Sequence, residues 1–325
     1  MQQAFPAIKP FARRHLSLQH QQIYLEQAGT ESGIPLLFLH DGPGLGCHRA
    51  DRCLFDPQHF HMLLPDQRGC GRSTPHLVVE ANHRDSLCDD LRQMQDALGI
   101  DHWVIAGVGW GAQLALWFAH QHPERVRALL LMSTSLGRRA ELAWLFEQGA
   151  PQVFPDAFQQ FVESIKPTAL TADAILQKVC DVFARGNEIE RMALARQWGN
   201  WMWRCAGVKP QQELQQEYLE PAVVLAHATL ASHYMARQWG YKQAEGLLPF
   251  LSLPEGLPMI AVHGRFDMVA PLSGVLALQR HQPQLQLNIV REAGHSVREA
   301  SMVDAIVKAQ ARLADICGAT PPACG

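Results

Sequence analysis

The sequence predicts an α/β protein: a mostly parallel sheet with helices on both faces and an inserted block of helices. Three observations predict it. The stretch Val104-Ile-Ala-Gly107-Val-Gly109-Trp-Gly111-Ala-Gln-Leu-Ala-Leu116 opens as a short apolar run, crosses three glycines within five residues and continues rich in alanine and leucine. That is the pattern of a strand, a tight turn and a buried helix. Two further apolar runs, residues 36–39 and 259–262, each pass into polar residues, His40-Asp41-Gly42-Pro43-Gly44 and His263-Gly-Arg-Phe-Asp267. Polar residues at the ends of buried strands mark where open α/β sheets place their sites. Between about residues 137 and 250 the pattern is helical throughout, with no convincing strand.

In chain order, residues 13–29 read as a two-stranded hairpin, with alternation around Leu16, Leu18, Ile23 and Leu25. Residues 34–39 form a continuous apolar run, as expected of a strand covered on both faces. Residues 60–64 repeat that texture. Leu87, Leu91, Met94 and Leu98 recur at helical spacing, and Gly99 ends their helix. Residues 104–106 and 128–132 are the next strands. Helices are expected at 142–146, 158–165, 174–183, 189–203 and 222–239, then strands at 259–262 and 285–290. A last helix runs from about 298 to 316, and 318–325 reads as a loose tail. The core domain therefore comprises residues 1–136 and 251–325, and a helical cap domain comprises 137–250.

The chain is long enough, at 325 residues, for one large core plus an insertion. A net charge of −3 gives no electrostatic case for nucleic acid or a membrane surface. The start Met-Gln-Gln-Ala-Phe-Pro lacks a basic segment followed by an apolar one, and no apolar stretch is long enough to span a bilayer, so a cytoplasmic location is expected. Eight scattered cysteines form no Cys-x-x-Cys pair and are expected as free thiols. Cys47, His48 and Cys53 lack a second ligand cluster, so no metal and no cofactor are expected.

The pattern Gly-x-Ser-x-Gly between a strand and a helix carries a nucleophile on a strained turn, flanked by glycines because the two backbones approach closely. Here it reads Gly107-Val108-Gly109-Trp110-Gly111. The scaffold of a nucleophile is present without the nucleophile. Asp267 and Gly294-His295 then follow in the order that a Ser…Asp…His arrangement requires.

These segments resemble the proline iminopeptidases, α/β-hydrolase-fold enzymes that remove N-terminal proline from peptides. The resemblance spans about residues 38–299 and rests on His40-x-Gly-Pro-Gly44, Asp66-Gln-Arg-Gly-Cys-Gly-Arg-Ser73 with Pro75-His76, Gly109-Trp-Gly111, Phe154-Pro-Asp156, His263-Gly-Arg-Phe-Asp267 and Ala293-Gly-His-Ser296. It implies Asp267 orienting His295 as general base, and backbone N–H groups of Gly42 and Trp110 forming an oxyanion hole. It places Gly109 where the family has its nucleophilic serine. Asp41 replaces a family glycine beside the oxyanion hole, where an anion opposes a developing oxyanion. The family's two amine-binding glutamates correspond to Met202 and Ala231. Asp66 and Arg68 read as structural, with Arg68 available to a carboxylate beneath the site.

No prolyl aminopeptidase activity is therefore expected. A small molecule or short peptide is expected in the cap cleft, walled by Asp41, Trp198, Trp201, Met202, Ala231 and Tyr234. Three functions stay open: an enzyme using the His295–Asp267 dyad as a base, a non-catalytic binding protein, and a hydrolase whose substitute nucleophile is Ser133, Ser135 or Cys47.

Overall fold

The computed structural model describes residues 2–18, 21–208, 215–216 and 218–318. The expected tail beyond Gly318 lies outside the described residues, as does Cys324; the other seven cysteines are free. Eight strands form one sheet: β1 Ala12–Leu18, β2 Gln21–Gly29, β3 Ile34–Leu39, β4 Phe60–Pro65, β5 Trp103–Val108, β6 Val126–Met132, β7 Met259–Gly264 and β8 Gln286–Val290. Their order is β1-β2-β4-β3-β5-β6-β7-β8. β1 pairs antiparallel with β2 and β2 antiparallel with β4, while every other pair is parallel. The fold is the α/β-hydrolase fold that the sequence predicts.

The central strands carry no polar face because both faces are covered. On β5, Trp103 and Ile105 enter one core and Val104, Ala106 and Val108 the other. Helix α1 (Arg84–Leu98) and helix α2 (Trp110–Gln121) cover the first face. The C-terminal helix covers the second through Met302, Ile306 and Leu313. Gly99, with φ 65°, ends α1 in the left-handed conformation.

Between β6 and β7 the described residues contain helices and turns only. They are α3 (Arg139–Ala143), α4 (Ala150–Val153), α5 (Pro155–Ile165), α6 (Ala172–Arg185), α7 (Glu188–Ala206) and α8 (Pro221–Ala236). Two more, α9 (Ser273–His281) and α10 (Ala300–Gly318), follow β7 and β8. The helix expected at 142–146 is instead a short α-turn passing into a π-helical turn, Trp144–Gln148. The one expected to reach 239 stops at Ala236, and a separate turn, Gln238–Gly240, holds Trp239 at φ 49°. No helix among the described residues is long and apolar enough to cross a membrane.

Candidate active site

The carboxyl ends of five parallel strands converge. Asp41 lies two residues past β3, Gly109 one past β5, Ser133 one past β6 and Asp267 three past β7, while His295 follows β8. At the turn into α2 the backbones are too close for side chains: a Cβ on Gly111 would stand 2.7 Å from the Leu39 carbonyl carbon. Gly109 itself has φ 53° and ψ −110°.

His295 is buried between two carboxylates. Its Nδ1 lies 2.8 Å from Asp267 Oδ2, and its Nε2 lies 2.8 Å from Asp41 Oδ2. Asp267 is held in turn by the backbone N–H groups of Val269 and Ala270, which donate to Oδ1 at 2.9 and 2.7 Å. The other oxygen of Asp41, Oδ1, accepts the backbone N–H of Trp110 at 3.0 Å. The carboxylate at position 41 thus takes the N–H expected of an oxyanion hole and the ring nitrogen expected of a general base.

Burial alone would lower the pKa of His295, but the charges of Asp267 and Asp41, and the hydrogen bonds to both, raise it well above the ordinary histidine value. The ring rests as an imidazolium. Burial would raise the pKa of Asp41; the imidazolium and the backbone N–H groups of Gly42 and Trp110 outweigh it and hold the carboxyl below its usual range. His227 on α8 senses both groups, but burial pushes it down to about 4, so it adds no charge. His263 is neutral as well: Nδ1 accepts the Thr134 N–H at 3.2 Å, which leaves Nε2 to donate to the Ala270 carbonyl at 2.9 Å.

A relay of neutral groups fixes the Asp41 loop. Gln67 N–H donates to His40 Nε2 at 3.0 Å, so the opposite nitrogen, Nδ1, donates to the Asp41 carbonyl at 2.8 Å. Gln67 Oε1 accepts the Trp110 indole N–H at 2.9 Å. Beneath this relay Arg68 grips Asp90 of α1 through two bonds of 2.7 and 2.6 Å, the carboxylate partnership expected of it. Asp66 accepts from Cys47 N–H and from Arg72, and so ties two loops together.

Ser133, Ser135 and Cys47 take other partners. Ser133 Oγ donates to the His295 carbonyl at 2.7 Å, Ser135 Oγ to Glu141 at 3.1 Å, and Cys47 Sγ to the Pro65 carbonyl at 3.2 Å. Burial lifts the Cys47 thiol well above its ordinary pKa. No hydrogen bond joins any of the three to the His295 ring.

Two cavities flank the Asp41–His295 pair. One, of about 30 Å³, lies against Gly109, Trp110, Leu142 and Trp239. The other, of about 140 Å³, lies against Phe38, Leu45, Val108, Tyr218, Val223 and Val297. Of the residues expected to wall a cleft, Asp41 lines both, but Trp198, Trp201, Met202, Ala231 and Tyr234 line neither. Trp198 packs on Phe146, Trp201 stacks on Phe161 at 6.3 Å and 8°, and Met202 and Ala231 are buried. Tyr234 bonds Asn82 at 2.7 Å and packs against Trp110 with 4.7 Å between ring centres. The direct Asp41–His295 bond is what sequence reasoning missed. Its signal was the pair Asp41 and Gly109, a carboxylate and a glycine at positions where the resemblance implies a glycine and a serine.

Residues 34–298 match the family model described as alpha/beta hydrolase fold. A probable proline iminopeptidase of Leptolyngbya boryana is 33% identical over 96% of this chain and 97% of its own length. The proline iminopeptidase of Xylella fastidiosa strain 9a5c is 33% identical over 94% and 98%. That of Arabidopsis thaliana is 30% identical over 97% and 83%. Among solved structures, a proline iminopeptidase-related protein of Thermus thermophilus superposes with a TM-score of 0.67 at 18% identity, covering 95% of this chain and 99% of that one.

Proposed function

The chain belongs to the proline iminopeptidase family of α/β-hydrolase-fold proteins, and we propose that it is a member without prolyl aminopeptidase activity. In this reading Gly109 stands at the family's nucleophile position, so no acyl-enzyme forms there. Met202 and Ala231 replace the glutamates that would hold a prolyl ammonium group. The block of helices at 137–250 acts as a cap over the strand ends.

The site nevertheless keeps acid–base machinery, and we infer an enzyme that uses His295, oriented by Asp267, on a small molecule beside Asp41. The observation that carries this is the 2.8 Å contact of His295 Nε2 with Asp41 Oδ2, opposite an equally short contact of Nδ1 with Asp267. A ring so placed exchanges protons with whatever meets Asp41. A second reading, a pure binding protein, draws support from the same geometry, since Asp41 takes the Trp110 N–H that a reacting carbonyl would need.

The test is an assay of the purified chain on a prolyl amide. No turnover is expected; turnover at the level of ordinary peptidases, abolished by His295→Ala, would overturn the proposal.

A further inference from the structure

Asp41 fills the space of a missing side chain. A Cβ built on Gly109 would overlap Asp41 Oδ1, lie 2.6 Å from its Cγ and 3.0 Å from Oδ2. The carboxylate thus reaches, from the loop after β3, into the place of a nucleophile on the turn after β5. Its oxygens have different surroundings: Oδ2 faces His295 Nε2, and Oδ1 rests on the Trp110 N–H. We propose that Asp41 is a nucleophile whose Oδ2 displaces a leaving group from a saturated carbon, giving an alkyl ester that water then hydrolyses at Cγ. This rests on the reading that His295 retains an acid–base role.

The geometry selects the electrophile. A carbonyl substrate would build an oxyanion, yet the Trp110 N–H already holds Oδ1, and loss of one such donor costs about 10²–10³ in rate. Displacement at a saturated carbon builds no oxyanion on the substrate. In such a displacement the leaving atom departs on the far side of the carbon from Oδ2. His295 stands on the near side, at 2.8 Å from that oxygen, and cannot protonate it. The leaving group must therefore depart as a stable anion, such as a halide or a sulfate. A cavity of about 140 Å³ adjoins Asp41 and His295; Phe38, Leu45, Val108, Val223 and Val297 line one part of it, and His48, Asp51, Ser296 and Arg298 another. That volume is close to the roughly 150 Å³ of a cavity that accepts benzene, so a small alkyl compound fits with its chain along the apolar residues.

The steps balance. A lone pair of Oδ2 forms the new C–O bond as the carbon–halogen bond breaks and halide leaves with its electrons. Asp41 is now a neutral ester, and His295 has lost one of the two anions that hold its proton. The ring releases that proton to solvent and, as free imidazole, takes a proton from water. The hydroxide oxygen bonds to Cγ, and the carbonyl electrons move to Oδ1, where the Trp110 N–H receives them. Collapse breaks the Cγ–Oδ2 bond; Oδ2 leaves as the alcohol with the proton from His295, and the new carboxylic acid returns its own proton to the ring. The sum is alkyl halide plus water giving alcohol, halide and a proton.

The experiment uses the full chain with 1-bromohexane. Bromide and hexan-1-ol should appear, and Asp41→Asn should abolish both. His295→Gln should stop at the first half, so that a hexyl ester accumulates on the peptide containing Asp41. For the parent in ¹⁸O-water, a single turnover should label Asp41 and leave the hexan-1-ol unlabelled, a readout that needs no variant to fold. Absence of bromide release, or first-turnover label in the alcohol, overturns the proposal. Labelled alcohol whose formation needs His295 would overturn the nucleophile while leaving the acid–base reading intact. Proline release from a prolyl amide would instead remove that reading.

Discussion

Asp41 and Gly109 share one volume: the carboxylate of the first lies where a side chain on the second would begin. The two residues are therefore coupled through space, and substitutions at them should not be additive.

Gly109→Ser alone puts a Cβ on a residue at φ 53° and displaces Asp41 from its bonds to Trp110 and His295. Backbone strain of this kind costs on the order of 1–3 kcal/mol, and loss of the Asp41 contacts adds to it. Denaturant unfolding should show a clear fall in stability. Adding Asp41→Gly should recover part of it, with a coupling of about 0.5–3 kcal/mol. Strict additivity would mean that the two side chains do not compete.

The same double variant frees the Trp110 N–H and sets a hydroxyl near His295 Nε2. It should hydrolyse a small activated ester slowly, whereas Gly109→Ser alone should not. Neither should cleave a prolyl amide under the proposal that Met202 and Ala231 stand where the family holds the prolyl ammonium group. An inactive double variant that unfolds like the parent would contradict the placement of His295.

Stability should carry the signature of the clamp as pH changes. His295 has a raised pKa in the fold, so its contribution is fully present below the ordinary histidine value of about 6.5 and fades as pH rises through the raised value. Asp41 has a depressed pKa, so its contribution is present above the ordinary aspartate value of about 3.9 and fades as pH falls through the lower one. The groups facing the ring are Asp267 and Asp41, with neutral His227 and His263 nearby. Denaturation of the parent and His295→Gln across this range should give the largest difference in mildly acidic solution and a shrinking one towards alkaline pH. A difference that grows with pH would mean the ring is neutral in the fold.

Arg68→Met leaves Asp90 buried without its cation. Removing one partner of a buried pair costs about 3–5 kcal/mol, and both side chains here are 4% exposed. Arg92→Met at the exposed pair with Asp89 should change stability by no more than about 1 kcal/mol. Equal effects in thermal unfolding would show that the Arg68 site is open to water.

The strands and most helices were legible in the sequence because their signals are local. Continuous apolar runs at 34–39 and 259–262 could only suit strands covered twice, and Gly99 could only end a helix there without strain. Where a segment bends back on itself the pattern was silent, as at the π-helical turn Trp144–Gln148, since one residue inserted in a turn leaves hydrophobic spacing nearly unchanged. The tryptophans at 198 and 201 are expected from the sequence to wall a cleft, yet they line neither cavity. A side chain's neighbours decide that, and only the folded chain brings Phe146 and Phe161 onto them.

By itself, the sequence determined the α/β-hydrolase fold, the order of the site's loops, the pair Asp267 and His295, and the absence of a hydroxyl at Gly109. Only the tertiary structure decided what lies against that glycine. Asp41 and Gly109 follow strands that are neighbours in the sheet but distant in the chain, with Leu39 of β3 opposite Gly107 of β5. Parallel pairing brings the two loops to one edge, and there a carboxylate finds an empty volume, a backbone N–H and an imidazolium within 3.0 Å. No sequence periodicity carries that distance, because it is set by the register of two strands and not by the spacing of residues along either.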